Sequence, residues 1–244
     1  MENALLIGLS RQMAMSREMS VIANNIANMN TPGFKAETML FDKYLMPNSA
    51  NGNDRRPLAF VNDYGQHRDM TDGTLTATGN PLDVAITGDG FFKVQTEDGN
   101  LRYTRDGHFQ LSATGQLITS NGDAVLTKAG GPISFTADEG EITISRDGTI
   151  TTANGQRGQL GIVTFENPEL LKKAGDNSFA TDAEETPVDR PRLIQGSIEG
   201  SNVKPILEMT NMIEVMRSYA SAQKLIDSSD EMRRKAISTL GAAA

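Results

Sequence analysis

Cysteine and tryptophan are both missing from this chain of 244 residues. Without cysteine there is no disulfide, no thiolate zinc or iron–sulfur ligand and no thiol nucleophile. Histidine occurs only at His67 and His108, which excludes a multi-histidine metal site. Aromatic residues make up 5% of the chain, which weakens any sugar-binding reading. Basic charge is in short supply: 23 Lys and Arg face 31 Asp and Glu, for a net charge of −8. A surface built for nucleic acid needs the opposite balance. No run approaches the ~18–20 apolar residues that a membrane span requires. The short apolar run at residues 4–9 is preceded by Glu2 and followed by Arg11 and Arg17, unlike a signal peptide. The chain is thus expected to stay in the cytosol or to leave by a route that reads no cleaved apolar signal.

What is present is unevenly placed. Residues 1–35 and 203–244 each carry a net charge of +1, so the stretch between them carries −10. Nine of the twelve methionines lie in residues 1–29 and 209–232. The two ends share a job that the middle lacks.

Residues 3–29 contain no proline, and positions stepping by three and four read Leu5, Gly8, Gln12, Met15, Met19, Ile22, Ile26 and Met29, six of the eight apolar. That is a heptad seam. A second stripe runs beside it through Leu6, Leu9, Met13, Ala23 and Ala27, so this helix is expected to touch several neighbours. Pro205 suits the first turn of a second helix. Its seam runs through Met212, Val215, Tyr219, Ala222, Ile226, Ser229, Arg233, Ala236 and Leu240, over about 30 residues. A lone helix of this kind is marginal in water, so each needs a partner.

The middle reads as short strands: residues 82–86, 91–95, 115–119, 141–145 and 160–165 are rich in β-formers. Turn dipeptides punctuate them: Asp72-Gly73, Asp98-Gly99, Asp106-Gly107, Asn121-Gly122, Asp147-Gly148 and Asn154-Gly155. The expectation is a mainly β domain, an antiparallel sandwich or barrel, at 80–193. Residues 31–79 read as an extended arm with room for one hairpin, with loop at 48–53 and 55–57. Residues 1–30 and 194–244 hold the two helical ends.

Four asparagines fall within seven residues at Asn24, Asn25, Asn28 and Asn30. Asparagine competes with helical hydrogen bonds, so the cluster needs a reason. A helix end and turn over Thr31, Pro32, Gly33 and Phe34 explains Asn28 onward. It explains Asn24 and Asn25 poorly, because both look buried. A polar register lock within the seam is the other reading.

Residues 24–35 resemble the N-terminal signature of the axial proteins of the bacterial flagellum, the rod and hook family. Gly79-Asn80-Pro81-Leu82-Asp83-Val84-Ala85-Ile86, with Gly88-Asp89-Gly90-Phe91-Phe92, is similar to the start of that family's β domain. Tyr103-Thr104-Arg105-Asp106-Gly107-His108-Phe109 resembles its next block. Gly200-Ser201-Asn202-Val203, with Glu208-Met209 and Met212-Ile213, resembles the approach to its C-terminal helix. The resemblance spans nearly the whole chain in order. Length and the opening residues 1–9 look more like the proximal-rod member than its distal-rod relative. Ala220 departs from the acidic residue usual after Arg217-Ser218-Tyr219.

The resemblance implies a structural rod subunit with no catalytic role and no cofactor. It implies paired terminal helices forming a coiled coil around the channel, with the β domain outside. The N-terminal interface would include Leu5, Met15, Met19, Ile22, Asn24, Asn25, Ile26 and Asn28. The C-terminal one would include Met212, Val215, Met216, Tyr219 and Ile226. Partners would be other rod subunits, further copies and the type III export apparatus. The expected location is the rod within the periplasm, reached without a cleaved signal.

Little else suggests chemistry. His108 beside Arg105 and Asp106 reads as a turn residue, and His67 as a surface residue. Gly88-Asp89-Gly90 lacks the Lys-Ser/Thr of a phosphate loop. Arg233-Arg234-Lys235 reads as a solvated face or an ion-paired one. A reading from another class is a secreted β-domain enzyme or carbohydrate-binding module with helical oligomerisation ends. A glycosidase would need a positioned carboxylate pair, and no pair stands out.

Overall fold

The computed structural model describes residues 2–46, 58–136 and 138–242, with the side chains of 2–5, 42–46, 58–64, 240 and 242 outside that description. The loop expected at 48–53 and 55–57 lies outside the described residues. The chain is mainly β with a helix at each end, and it divides into two compact units.

The first unit comprises Met1–Ala27, Glu37–Arg68 and Lys204–Ala244. Its helices are α1, Glu2–Ala27, and α2, Pro205–Ala242. At 38 residues, α2 outruns the expected 30 and is about 57 Å long at 1.5 Å per residue. Pro205 begins it, where a missing N–H costs nothing, and Glu208 adds negative charge to its first turn. Strands β1, Glu37–Met46, and β2, Leu58–Arg68, pair antiparallel as a two-stranded ribbon from Glu37 opposite Arg68 to Met46 opposite Leu58. A bulge interrupts the register between Leu40 and Phe41.

The second unit comprises Asn28–Ala36 and Asp69–Val203. Among the described strands every pairing is antiparallel. Strand β3 is Leu75–Ala77, β4 is Val84–Ile86, β5 is Phe91–Gln95 and β6 is Leu101–Thr104. The nine-stranded sheet forks at β5. One edge of β5 pairs with β6, while the other pairs with Ile162–Thr164 through Phe91 and Phe92 and with Ala124–Val125 through Val94 and Gln95.

Alternation along β5 explains the two hydrophobic cores, because successive side chains in a strand point to opposite faces. Phe92 and Val94 enter a core with Val84, Phe109, Leu117, Ile150 and Ile162. Phe91 enters the other, with Tyr103, Val163, Phe165, Leu171 and Phe179. Edge-to-face ring pairs sit in each: Phe92 on Phe109 at 5.0 Å and Tyr103 on Phe165 at 4.8 Å.

Four of the six turn dipeptides join paired strands as expected: Asp98-Gly99, Asn121-Gly122, Asp147-Gly148 and Asn154-Gly155. Asp72-Gly73 and Asp106-Gly107 do not. There the glycines let backbones touch: a Cβ on Gly73 would fall 1.9 Å from the Gly200 carbonyl oxygen, and one on Gly107 would fall 1.7 Å from that of Val84.

Candidate functional site

The helix pair in the first unit runs antiparallel. Gly8 faces Ile226, Gln12 Nε2 donates to Gln223 Oε1 at 2.5 Å, and Asn25 Nδ2 donates to Glu208 Oε2 at 3.3 Å. The α1 number rises as the α2 number falls, nearly residue for residue. Most of the two seams read from spacing is covered: Gln12, Ile22, Val215 and Ala222 are buried, and Met15, Met19, Ile26, Met212, Tyr219, Ile226, Ser229 and Arg233 are half-buried, whereas Ala236 is exposed. Leu5 lies on α1, with its side chain outside the described residues. Met216 is exposed, and so is Ala220.

Among the described residues the second stripe of α1 is left exposed. Leu6, Leu9, Met13, Ala23 and Ala27 are exposed. On α2 so are Ile206, Leu207, Met209, Ile213, Leu225, Met232 and Ile237. Lys235 pairs with Glu231 at 2.7 Å, one turn away on the same helix.

The asparagine pair is split. Asn24 is exposed, which corrects the expectation that both are buried, whereas Asn25 is 1% exposed. Asn25 clamps the start of β1 like a strand neighbour: its Nδ2 donates to the Glu37 carbonyl at 2.8 Å and its Oδ1 accepts from the Glu37 N–H at 3.1 Å. The Glu37 carboxylate takes Arg68 Nη2 at 2.7 Å and Nε at 3.1 Å. Asn25 thus ties α1 to β1 and α2. A cleft of about 410 Å³ opens beside it, lined by Met15, Glu18, Ile22, Met39, Glu208 and Glu214 among others. Burial, and then the like charge of Glu214, push the Glu18 carboxyl above its ordinary value.

In the second unit, Thr31, Pro32, Gly33 and Phe34 form the expected turn, and the fold holds it tightly. The Thr31 N–H donates to the Asn28 carbonyl at 3.1 Å, and the Thr31 hydroxyl to Asn28 Oδ1 at 3.2 Å. Asn177 Nδ2 donates to the Pro32 carbonyl at 2.6 Å. The Gly33 N–H donates to the Glu199 carbonyl at 2.7 Å. Gly33 has φ +65°, and a Cβ there would stand 2.5 Å from the peptide joining Arg105 and Asp106. Phe34 is buried, with Lys173 Nζ 4.8 Å from its ring centre.

Beneath this turn lies a charged node that local pattern did not announce. Lys35 Nζ donates to Glu199 Oε1 and to the Thr71 carbonyl, each at 2.7 Å. Arg105 Nε stands 3.2 Å from Glu199 Oε2, its Nη2 donates to Asp72 Oδ1 at 2.8 Å, and its Nη1 donates to the Gly90 carbonyl at 2.7 Å. Lys35, Arg105 and Glu199 are all buried. Burial pulls the Lys35 amine below its ordinary value, and the Glu199 carboxylate opposes that shift. Asn202 closes the node, accepting the Ala36 N–H at 2.7 Å and donating to the Asp69 carbonyl at 2.9 Å.

His108 is more than a turn residue. Its Nδ1 lies 2.8 Å from Oδ1 of buried Asp83, which also receives Asn80 Nδ2 at 2.9 Å and, on Oδ2, the Thr78 hydroxyl at 2.6 Å. The Asp106 carboxyl is raised, first by its burial, while the His108 N–H that it accepts opposes the shift. Among the described residues no three His, Asp or Glu side chains are grouped to hold a metal ion. No described helix is long and apolar enough to cross a membrane.

Parts of all four stretches on which the resemblance rests lie in the second unit, namely Pro32–Lys35, the run through Asp83 and Gly90, the run through Arg105 and His108, and Gly200–Val203, while residues 24–27 and Glu208 to Ile213 lie in the first. Known proteins match the chain along its length. Residues 5–35 match the family described as flagella basal body rod protein, residues 85–152 the flagellar hook protein FlgE/F/G D1 domain, and residues 194–239 the flagellar basal body rod FlgEFG protein C-terminal family. The flagellar basal-body rod protein FlgF of Caulobacter vibrioides is 40% identical over 243 residues, covering 99% of each chain. FlgF of Mesorhizobium japonicum is 33% identical over 244 residues, again covering 99% of each. The rod protein FlgG of Bacillus subtilis is 34% identical over 261 residues, covering 97% of this chain and 98% of its own. An anchored N-terminal turn, an antiparallel β unit and two terminal helices, matched end to end by these relatives, mean that this chain belongs to the flagellar basal-body rod protein family and is FlgF-like within it.

Proposed function

We propose that this chain is a structural subunit of the proximal segment of the flagellar rod, without catalytic activity or cofactor. Its terminal helices pair as a coiled coil lining a hollow shaft that transmits torque, and they are the surfaces through which subunits join. The residues 80–193 stand outside that core. Neighbouring copies and other rod subunits are the partners. The subunit travels through the flagellar type III export apparatus, needs no cleaved signal, and ends in the rod within the periplasm.

The observation that carries this reading is the open apolar surface on both helices. Ile206 is 84% exposed and Leu225 72%. Leu6, Leu9 and Met13 make a continuous stripe on α1, beside the seam that α2 already covers. Contiguous apolar surface of this kind marks an interaction site. The half-buried seam residues Met15, Met19, Ile26, Met212, Tyr219 and Ile226, with Leu5, Ile22, Asn24, Asn25, Asn28, Val215 and Met216, form the inner and lateral parts of that interface.

The test is a paired set of substitutions on exposed sites, Leu9→Glu and Leu225→Glu. Both side chains are exposed, so both proteins should keep the wild-type circular dichroism spectrum. Both should fail to enter purified basal bodies and should abolish swimming. Normal incorporation of both variants would refute assembly through the helices.

A further inference from the structure

The open faces of the helices carry an unusual share of the chain's sulfur. With no cysteine and no tryptophan, methionine is the side chain most open to mild oxidation here. Among the described side chains, four methionines are exposed, Met13, Met209, Met216 and Met232, at 47–58%, and all four lie on α1 or α2. Met15, Met19, Met29, Met39, Met70 and Met212 are half-buried. Met70 packs against the core that holds Phe91 and Phe179. Met209, Met212 and Met216 recur at steps of three and four, so they share one face of α2.

We infer that Met13, Met209, Met216 and Met232 are an oxidation-sensitive set, converted to sulfoxides by peroxide in the unassembled subunit, and that the sulfoxides block packing of the helices. The inference rests on the assembly reading above. The chemistry is a two-electron oxygen transfer. The thioether sulfur attacks one oxygen of hydrogen peroxide, the O–O bond breaks, and a sulfur–oxygen bond forms. The second oxygen leaves with its proton, takes up another and departs as water. An apolar, adaptable side chain thereby becomes polar and chiral. A sulfoxide oxygen buried between helices without a donor is costly. A subunit already packed in the rod has these sulfurs covered, so sensitivity belongs to the free chain. Methionine sulfoxide reductases can reverse the change.

The experiment exposes the full-length chain to hydrogen peroxide and follows sulfoxide formation at each methionine by peptide mass spectrometry. Met13, Met209, Met216 and Met232 should react before Met70, by at least tenfold in rate. The oxidised chain is then offered to an immobilised second copy and to a distal-rod relative. Capture should fall at least tenfold and return after sulfoxide reductase treatment. A variant carrying Met13→Leu, Met209→Leu, Met216→Leu and Met232→Leu keeps the volume nearly constant. At the peroxide exposure that converts only those four in wild type, its capture should stay at its own untreated level, and a tenfold fall would overturn the inference. Equal rates at Met70, or undiminished capture of fully oxidised wild type, would overturn the inference alone. Failure of untreated wild type and untreated leucine variant to bind either partner would overturn the assembly reading and this inference with it.

Discussion

Lys35 Nζ and Glu199 Oε1 lie 2.7 Å apart, both fully buried, across 164 residues of sequence. Arg105 approaches the other oxygen of the same carboxylate at 3.2 Å. One carboxylate therefore faces two buried cations; removing its charge takes away the ion-pair partner of Lys35 and leaves Arg105 with Asp72 alone. Breaking a buried ion pair from one side costs about 3–5 kcal/mol. Glu199→Gln should lower the stability of the chain by that order, read as a shift in denaturant midpoint at unchanged slope. A shift under about 1 kcal/mol would show that the node contributes little.

Gly33 and Gly122 make a controlled comparison. Both have positive φ, +65° and +93°, but only Gly33 is pressed against backbone. Gly122→Ala should cost about 1–2 kcal/mol from the left-handed conformation alone. Gly33→Ala meets the Arg105–Asp106 peptide as well and should cost clearly more. Thermal unfolding of the two variants side by side decides it, and equal losses would contradict the packing seen around Gly33.

Asn25 satisfies both backbone groups of Glu37. Asn25→Ala removes the amide that both groups bond, at about 1–3 kcal/mol. Native-state hydrogen exchange should show the Glu37 amide losing protection. Asn24→Ala, at an exposed position, should leave that amide unchanged.

Glu18 supplies a pH dependence with a definite sign. Its carboxyl is raised above the ordinary 4.5 by burial and by Glu214, within a cleft that Glu37 and Glu208 also line. Between pH 4.5 and the higher folded value the folded chain holds a proton that the unfolded chain has already released. Stability from this group is fully present below pH 4.5 and is lost as pH rises through the higher folded value. Glu18→Gln should therefore stabilise the chain at pH 7 and make no difference in acid. Denaturant titrations at both pH values test this, and a stabilisation confined to acid would reverse the assignment.

Much of the helical architecture was legible because its cause is local. Steps of three and four placed Gln12, Ile22, Val215 and Ala222 on seams, and those residues are buried between α1 and α2. The adjacent stripe through Leu6, Leu9 and Met13 was equally legible, and it is open. Four Asp-Gly or Asn-Gly turns also did what their backbone preferences dictate. The same dipeptides at Asp72-Gly73 and Asp106-Gly107 misled, because the need for glycine there comes from distant backbone, Gly200 and Val84.

The sequence by itself determined the two helices, four of the hairpin turns, which helix faces are apolar, and that the ends differ from the middle. These follow from periodicity and from the φ preferences of a few residues. Tertiary structure alone decided that Asn25 and not Asn24 is buried, and that Lys35, Arg105 and Glu199 share one site. It also decided that β5 divides its edge between two partners. Each depends on groups brought together from distant parts of the chain. A charge has no periodic signature, and whether it is paired or solvated is settled only when its partner arrives.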